Sequence, residues 1–233
     1  MTTLPPSPVL RPLVFEAIPL GRRPGPPFSF EVPARHTVVV LGDEDSGVGL
    51  LGGFALGLER PAQGRALVWD TDVARLPERE RLAFRRRVGY LPAGDGLLQN
   101  LSLRDNVALP LRFGSGASPK EIDGRVNVML AAVRLSGAAD RRPAQANEEE
   151  CRRAALARAI AFDPGLLILE QPFDGLTARV ASELLEFARG GETAEGARRA
   201  LFITGQEMPP VILRRVERVY RVARTGVLEP ETV

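Results

Sequence analysis

The stretch 38–51, V-V-V-L-G-D-E-D-S-G-V-G-L-L, sets Gly42 and Gly47 with four residues between them, between an apolar run and a small-residue segment. A strand, a glycine-bounded turn and a helix start, in that order, make a cradle for phosphate. Backbone N–H groups and the positive end of the helix dipole supply the attraction. The pattern for such a loop is G-x-x-x-x-G-K-[ST], in which the lysine meets the phosphates and the hydroxyl meets the metal. Here Val48 stands at the lysine position and Gly49 at the hydroxyl position, while Asp43, Glu44 and Asp45 fill the turn with Ser46. Lys120 is the only lysine in the chain, so basic positions have drifted to arginine. That bias would leave an arginine at 48, so valine there is a loss of charge.

The acids change the electrostatics. At an effective dielectric of about 20, two like unit charges about 4 Å apart repel by roughly 4 kcal/mol before salt screens them. A micromolar ligand has only about 8 kcal/mol of binding free energy in all. Two readings of Asp43, Glu44 and Asp45 follow. A carboxylate sits where a phosphate would and stabilises an empty loop, or the turn is a solvated acidic surface. Asp45 or Ser46 is expected to cap the following helix.

The elements that must position this loop read as alternating strands and helices. The chain has 233 residues, 44% hydrophobic and 26% charged, enough for one α/β domain with an insertion. Strands are expected over 13–17, 28–32, 37–41, 65–69, 87–91, 166–169, 200–204 and 219–222, with an edge strand at 226–228. Helices are expected over 47–58, 77–87, 103–113, 119–135, 148–162 and 173–188. The first dozen residues and 21–27 are rich in proline and glycine and read as connections. Strands alternating with helices imply a mixed or parallel sheet covered on both faces.

One cysteine, Cys151, excludes an internal disulfide, and one histidine, His36, argues against histidine-based metal or triad chemistry. The net charge of +2 does not call for nucleic acid. No apolar run reaches the ~18 residues of a membrane span, and the N-terminus lacks a signal-peptide pattern.

The order of motifs is specific: the loop, V-G-Y-L at 88–91, a helical insertion, R-R-A-A-L-A-R-A-I-A at 152–161, D-P-G-L-L-I-L-E-Q-P at 163–172 and L-F-I-T at 201–204. Over nearly its whole length the chain resembles the ATP-binding subunit of ABC transporters. N-L-S-L-R-D-N-V-A-L-P-L-R (100–112) and L-S-G-A-A look closest to the Mla/Mce-type lipid-transport ATPases. The resemblance implies a P-loop NTPase-like core with an antiparallel β portion over 13–92 and 163–229, and an inserted helical subdomain over 93–162, within one ABC-like domain spanning 1–233.

Read through that resemblance, each functional position departs from the family pattern. No aromatic residue stands between Phe15 and Phe28 to stack on adenine. Ala93 replaces the glutamine after the V-G-Y-L strand. The L-S-G-G-Q signature reads Ala146-Asn147-Glu148-Glu149-Glu150. Glu170 stands for the metal-binding aspartate and Gln171 for the catalytic glutamate. Thr177 aligns with the aspartate of the following loop, with Asp174 nearby, and Gly205 replaces the switch histidine. Gln171 cannot act as a carboxylate base, and phosphoryl transfer needs positioned charge and metal.

The expectation is therefore a pseudo-ATPase that needs no cofactor. It docks on the permease of a membrane transporter, of Mla/Mce-like lipid type, on the cytoplasmic face, paired with a second ABC-type subunit. The alternatives are a divergent subunit that still binds or slowly hydrolyses ATP with magnesium, and a soluble interaction module without a permease.

Overall fold

The computed structural model describes residues 11–20, 25–190, 199–223 and 226–231. The proline-rich residues 1–10 and most of the connection expected at 21–27 lie outside them.

Two sheets carry the fold. The larger has six strands in the order β10-β9-β3-β8-β7-β6. These are β3 (Thr37–Leu41), β6 (Val88–Leu91), β7 (Leu166–Glu170), β8 (Ala200–Gly205), β9 (Arg218–Val222) and β10 (Leu228–Pro230). All pair in parallel except β10, which runs antiparallel to β9. The smaller sheet is antiparallel, in the order β2-β1-β4-β5, from β1 (Leu13–Ile18), β2 (Phe28–Val32), β4 (Arg65–Val68) and β5 (Thr71–Asp72).

The central strands β3, β7 and β8 are buried at every position and apolar at nearly all of them, because both their faces are covered. Their two-residue period splits them between two cores. Val38, Val40, Leu166, Ile168 and Phe202 face the small sheet, where Phe15 stacks on Phe30 with ring centres 4.8 Å apart. Val39, Leu41, Leu167, Leu169, Leu201 and Ile203 face the helices. Phe15 is fully buried in the first core.

The helices are α1 (Leu50–Ala55), α2 (Glu78–Arg85), α3 (Leu103–Gly114), α4 (Pro119–Ala132), α5 (Glu148–Ala159), α6 (Ala178–Arg189) and α7 (Pro210–Leu213). Helices α3, α4 and α5 lie in the chain between β6 and β7, where the insertion was expected.

Three expectations need correction. The helix after the loop spans Leu50–Ala55 and not 47–58. Glycines at 49, 52, 53 and 57 lower its propensity, and Gly57 ends it at φ +61°. The helix expected at 173–188 begins at Ala178, because 173–176 is a turn through Gly175 at φ +73° and Thr177 caps the helix. The helix expected at 119–135 ends at Ala132, and Arg134 turns the chain at φ +59°.

Candidate functional site

β3 delivers Gly42 to the carboxyl edge of the sheet, where the Gly42 N–H donates to the Gly205 carbonyl at 3.0 Å. Residues 44–46 then form a single 3-10 turn, and Gly47 reverses the chain at φ +77°. The Ser46 side chain points into the loop. Its hydroxyl is buried, donates to the Asp43 carbonyl at 2.5 Å and accepts the Val48 N–H at 3.3 Å. Val48 folds inward beside it and is only 3% exposed, part of the core cluster that holds Val38 and Leu51. The space over Gly42 is so full that a Cβ there would collide with Ser46 Oγ and lie 2.7 Å from Val48 Cγ2.

Asp43, Glu44 and Asp45 are all exposed. A carboxylate therefore does not take the phosphate's place; a serine hydroxyl and a valine side chain fill the loop. Neither Asp45 nor Ser46 caps α1, whose N-cap is Gly49 with no side-chain bond. Ser46 instead satisfies an amide inside the turn.

The residues after the loop are equally committed. Glu170, at the end of β7, is buried. Its Oε2 accepts the Ala93 N–H at 3.3 Å, it takes a hydrogen bond from Tyr90, and its Oε1 presses on Gly52 of α1. Burial raises the Glu170 pKa above the ordinary carboxylate range, against the pull of the two hydrogen bonds. Burial, with Glu170 beside it, raises the Tyr90 phenol. Gln171 sits at φ +48° and its N–H donates to the Thr204 carbonyl at 2.7 Å. Gly205 closes β8 as the acceptor for Gly42.

The signature-like segment folds as a helix start. Asn147 caps α5: its side chain accepts the Glu150 N–H at 2.8 Å, and the Glu150 carboxylate accepts the Asn147 N–H at 3.0 Å. Ala146 is half-buried before it. Glu149 pairs with Arg153 at 2.8 Å, Glu150 with Arg141 at 3.0 Å, and Glu148 lies against Gly175. Thr177 accepts the Val180 N–H at 3.4 Å, so its position serves a cap.

A cradle for a triphosphate needs free N–H donors over an open loop and a cation beside it. This loop has neither an open interior nor a lysine, and its Ser46 and Val48 amides are bonded internally. No group of three or more His, Cys, Asp or Glu side chains among the described residues is placed to hold a metal ion. The residues present do not fit a magnesium-bound nucleotide.

The family profile for the ABC transporter matches residues 26–174. This chain belongs to the ABC transporter family. Among curated proteins it is 37% identical over 164 residues to a sulfate/thiosulfate import ATP-binding protein of Vibrio vulnificus, covering 69% of this chain and 46% of that protein. It is 35% identical over 166 residues to the Escherichia coli K12 protein of the same description, covering 69% and 44%. The chain thus spans less than half the length of these relatives. They are described as sulfate/thiosulfate import ATP-binding proteins, where the sequence resemblance points to Mla/Mce-type proteins.

Among solved structures the ABC fold recurs at low identity. The ATP-binding cassette MJ0796, captured as a dimer with ADP and phosphate, superposes with a TM-score of 0.82 at 19% identity, over 94% of this chain and 98% of that one. The cbiO1 protein of Clostridium perfringens gives 0.74 at 18%, over 91% and 84%. The ABC ATPase core expected from the motif order is the observed fold.

Sequence reasoning placed Ser46 in the loop but gave it a cap's role, and it missed the side chains that tie the site: Tyr90, Asn106, Arg152 and Arg158. Asn106 left a trace, a polar residue between Leu103 and Val107 on the apolar face of α3. Ser46 left only its place as the one hydroxyl in the loop.

Proposed function

We propose that this chain is the cassette subunit of a membrane transporter, that it docks on a permease at the cytoplasmic face, and that it does so without hydrolysing ATP. The observation that carries the reading is the loop interior filled by Ser46 and Val48 within an otherwise intact cassette fold. Gln171, Ala93, Gly205 and the Glu148–Glu150 helix start support it, since each replaces a group that the chemistry of phosphoryl transfer uses. Such a subunit acts as a scaffold or regulator, in company with a second cassette subunit.

Docking is supported by a groove of about 490 Å³ between α2 and α3. Leu82, Leu109, Pro110, Phe113 and Phe162 line it, and Phe113 is 82% exposed. Arg85, Arg86 and Arg158 are the charged residues of the lining, with no acid among them. An exposed apolar groove of this kind marks an interaction surface. The relatives' descriptions favour a permease for a small oxyanion over one for lipid. No helix among the described residues is long and apolar enough to cross a membrane.

The test is capture of a co-expressed oxyanion-transporter permease from detergent extracts. The wild type retains it, while Arg86→Glu with Phe113→Ala weakens capture by about tenfold or more, as loss of an aromatic anchor does. Equal capture by both, or none by the wild type, refutes the docking. A second reading, residual nucleotide binding, draws on the kept turn between Gly42 and Gly47. Calorimetry with Mg-ATP decides it, and absence of heat at millimolar ligand excludes it.

A further inference from the structure

The irregular connector between β6 and α3 is tied down by four side chains from three elements. Glu170 of β7 accepts the Ala93 N–H at 3.3 Å. Arg152 of α5 pairs with the Asp95 carboxylate at 3.0 Å, with its own side chain 5% exposed. Arg158 of α5 donates to the carbonyls of Asp95 and Gly96, both at 2.7 Å. Asn106 of α3, fully buried, accepts the Leu98 N–H at 2.8 Å and donates to the Leu98 and Ser102 carbonyls.

The backbone they hold is unusual. Gly94, Asp95 and Gly96 stand at φ +71°, +68° and +60°, three left-handed residues in succession. A non-glycine residue keeps such a conformation only where its surroundings over-determine it. The connector also joins two surfaces. Glu170, which takes the Ala93 N–H, also presses on Gly52 of α1 beneath the loop, and Arg158, which holds the Asp95 and Gly96 carbonyls, lines the apolar groove.

We propose that these ties form an internal latch: Glu170, Arg152, Arg158 and Asn106 hold the connector in one arrangement, so the groove wall keeps its shape whatever is present at the loop. The consequence for docking rests on the groove reading above; the latch itself does not. Its weak point is the Asp95–Arg152 pair. The two groups are close and buried, yet Asp95 Oδ1 and Arg152 Nη1 and Nε make no aligned hydrogen bond. Glu148 and Asp174 also bear on this pair, Glu148 through Asp95 and Asp174 through Arg152. Removing one member leaves a buried charge unmatched, which costs more than the pair contributes.

Hydrogen exchange read by mass spectrometry on the full chain tests this. In the wild type, amides over 93–98 exchange about 100-fold more slowly than an unstructured chain, and Mg-ATP leaves those rates unchanged. Arg152→Met speeds exchange over 93–98 by about tenfold or more while the strands 37–41 and 166–170 stay protected. Should Arg152→Met unfold the chain, Arg158→Met removes two carbonyl ties from a less buried position and gives the same local signature. Connector amides at unstructured rates in the wild type overturn the latch, as does a connector that slows with Mg-ATP or is unaffected by either substitution. Exchange is read without a permease, so a failed permease capture beside a protected connector sinks the docking reading alone.

Discussion

Gly52→Ala separates the local propensity of α1 from the packing around it. In a helix interior alanine is favoured over glycine by about 1 kcal/mol, so sequence alone predicts a more stable protein. The structure predicts the opposite sign. A Cβ at position 52 collides with Glu170 Oε1 and comes within 3.4 Å of Glu170 Cδ and Ile168 Cγ2. Glu170 must then swing away from the Ala93 N–H and the Tyr90 hydroxyl, leaving buried partners unsatisfied. Two hydrogen bonds of this kind are worth about 2–4 kcal/mol together. Set against the helical gain, Gly52→Ala destabilises by about 1–3 kcal/mol, a fall in melting temperature of roughly 2–4 °C for each kcal/mol. The control is the same change in a Glu170→Ala background, where the obstacle is gone and only the propensity gain of about 1 kcal/mol remains. Urea midpoints of the four proteins close the cycle. A wild-type background in which Gly52→Ala stabilises, or a cycle with no coupling, refutes the contact between Glu170 and α1.

Val48→Lys puts the lysine of a phosphate loop back at its position, and Mg-ATP calorimetry still shows no binding, because Ser46 fills the loop. The same change loses a buried side chain worth about 1.5–3 kcal/mol, seen as a lower denaturation midpoint; micromolar Mg-ATP affinity would contradict the filled-loop geometry. The raised carboxyl of Glu170 gives a pH dependence of definite sign. Its folded pKa lies above the unfolded value of about 4.3, so the folded state holds more protons between the two. The stability this contributes is complete below the unfolded pKa and is lost as pH rises through the folded one. Glu170→Gln therefore flattens the decline of the urea midpoint above about pH 4; an unchanged slope assigns it elsewhere, with Asp95, also raised by burial, the first candidate.

Where the sequence was legible, period and apolarity alone determined the outcome. Thr37–Leu41 reads as a doubly covered strand from its unbroken apolar run 38–41, and all five residues are buried, with Val38 and Val40 in one core and Val39 and Leu41 in the other. The Asn147 cap was readable because a cap needs only its own residue and the one three positions on. The site was less legible. Glycine spacing predicts that the chain turns at 42–47, and it does, but spacing does not say what lies inside the turn. Three acids at 43–45 imply a charged loop, while the structure exposes all three and turns Ser46 inward. Burying the serine needs one donor and one acceptor, both within two or three residues; burying a carboxylate there would need more donors than the turn offers.

The ties on the connector were invisible for a different reason. Asp95 and Arg152 are 57 positions apart in a chain where arginine is common, so no local pattern singles out the pair. What could have pointed to it is burial: Arg152 and Arg153 directly precede an alanine-rich run over 154–161, and a buried arginine requires partners. Arg153 finds Glu149 and Glu183, and Arg152 finds the connector. On the proposed reading, the positions that depart from the family pattern and the ties on the connector coincide. Ala93, where a glutamine is expected, leaves a short side chain and an amide that Glu170 takes up. Glu170, one methylene longer than aspartate, reaches both that amide and Tyr90. On the proposed reading, the positions that would otherwise serve nucleotide are the same ones that here make contacts within the chain.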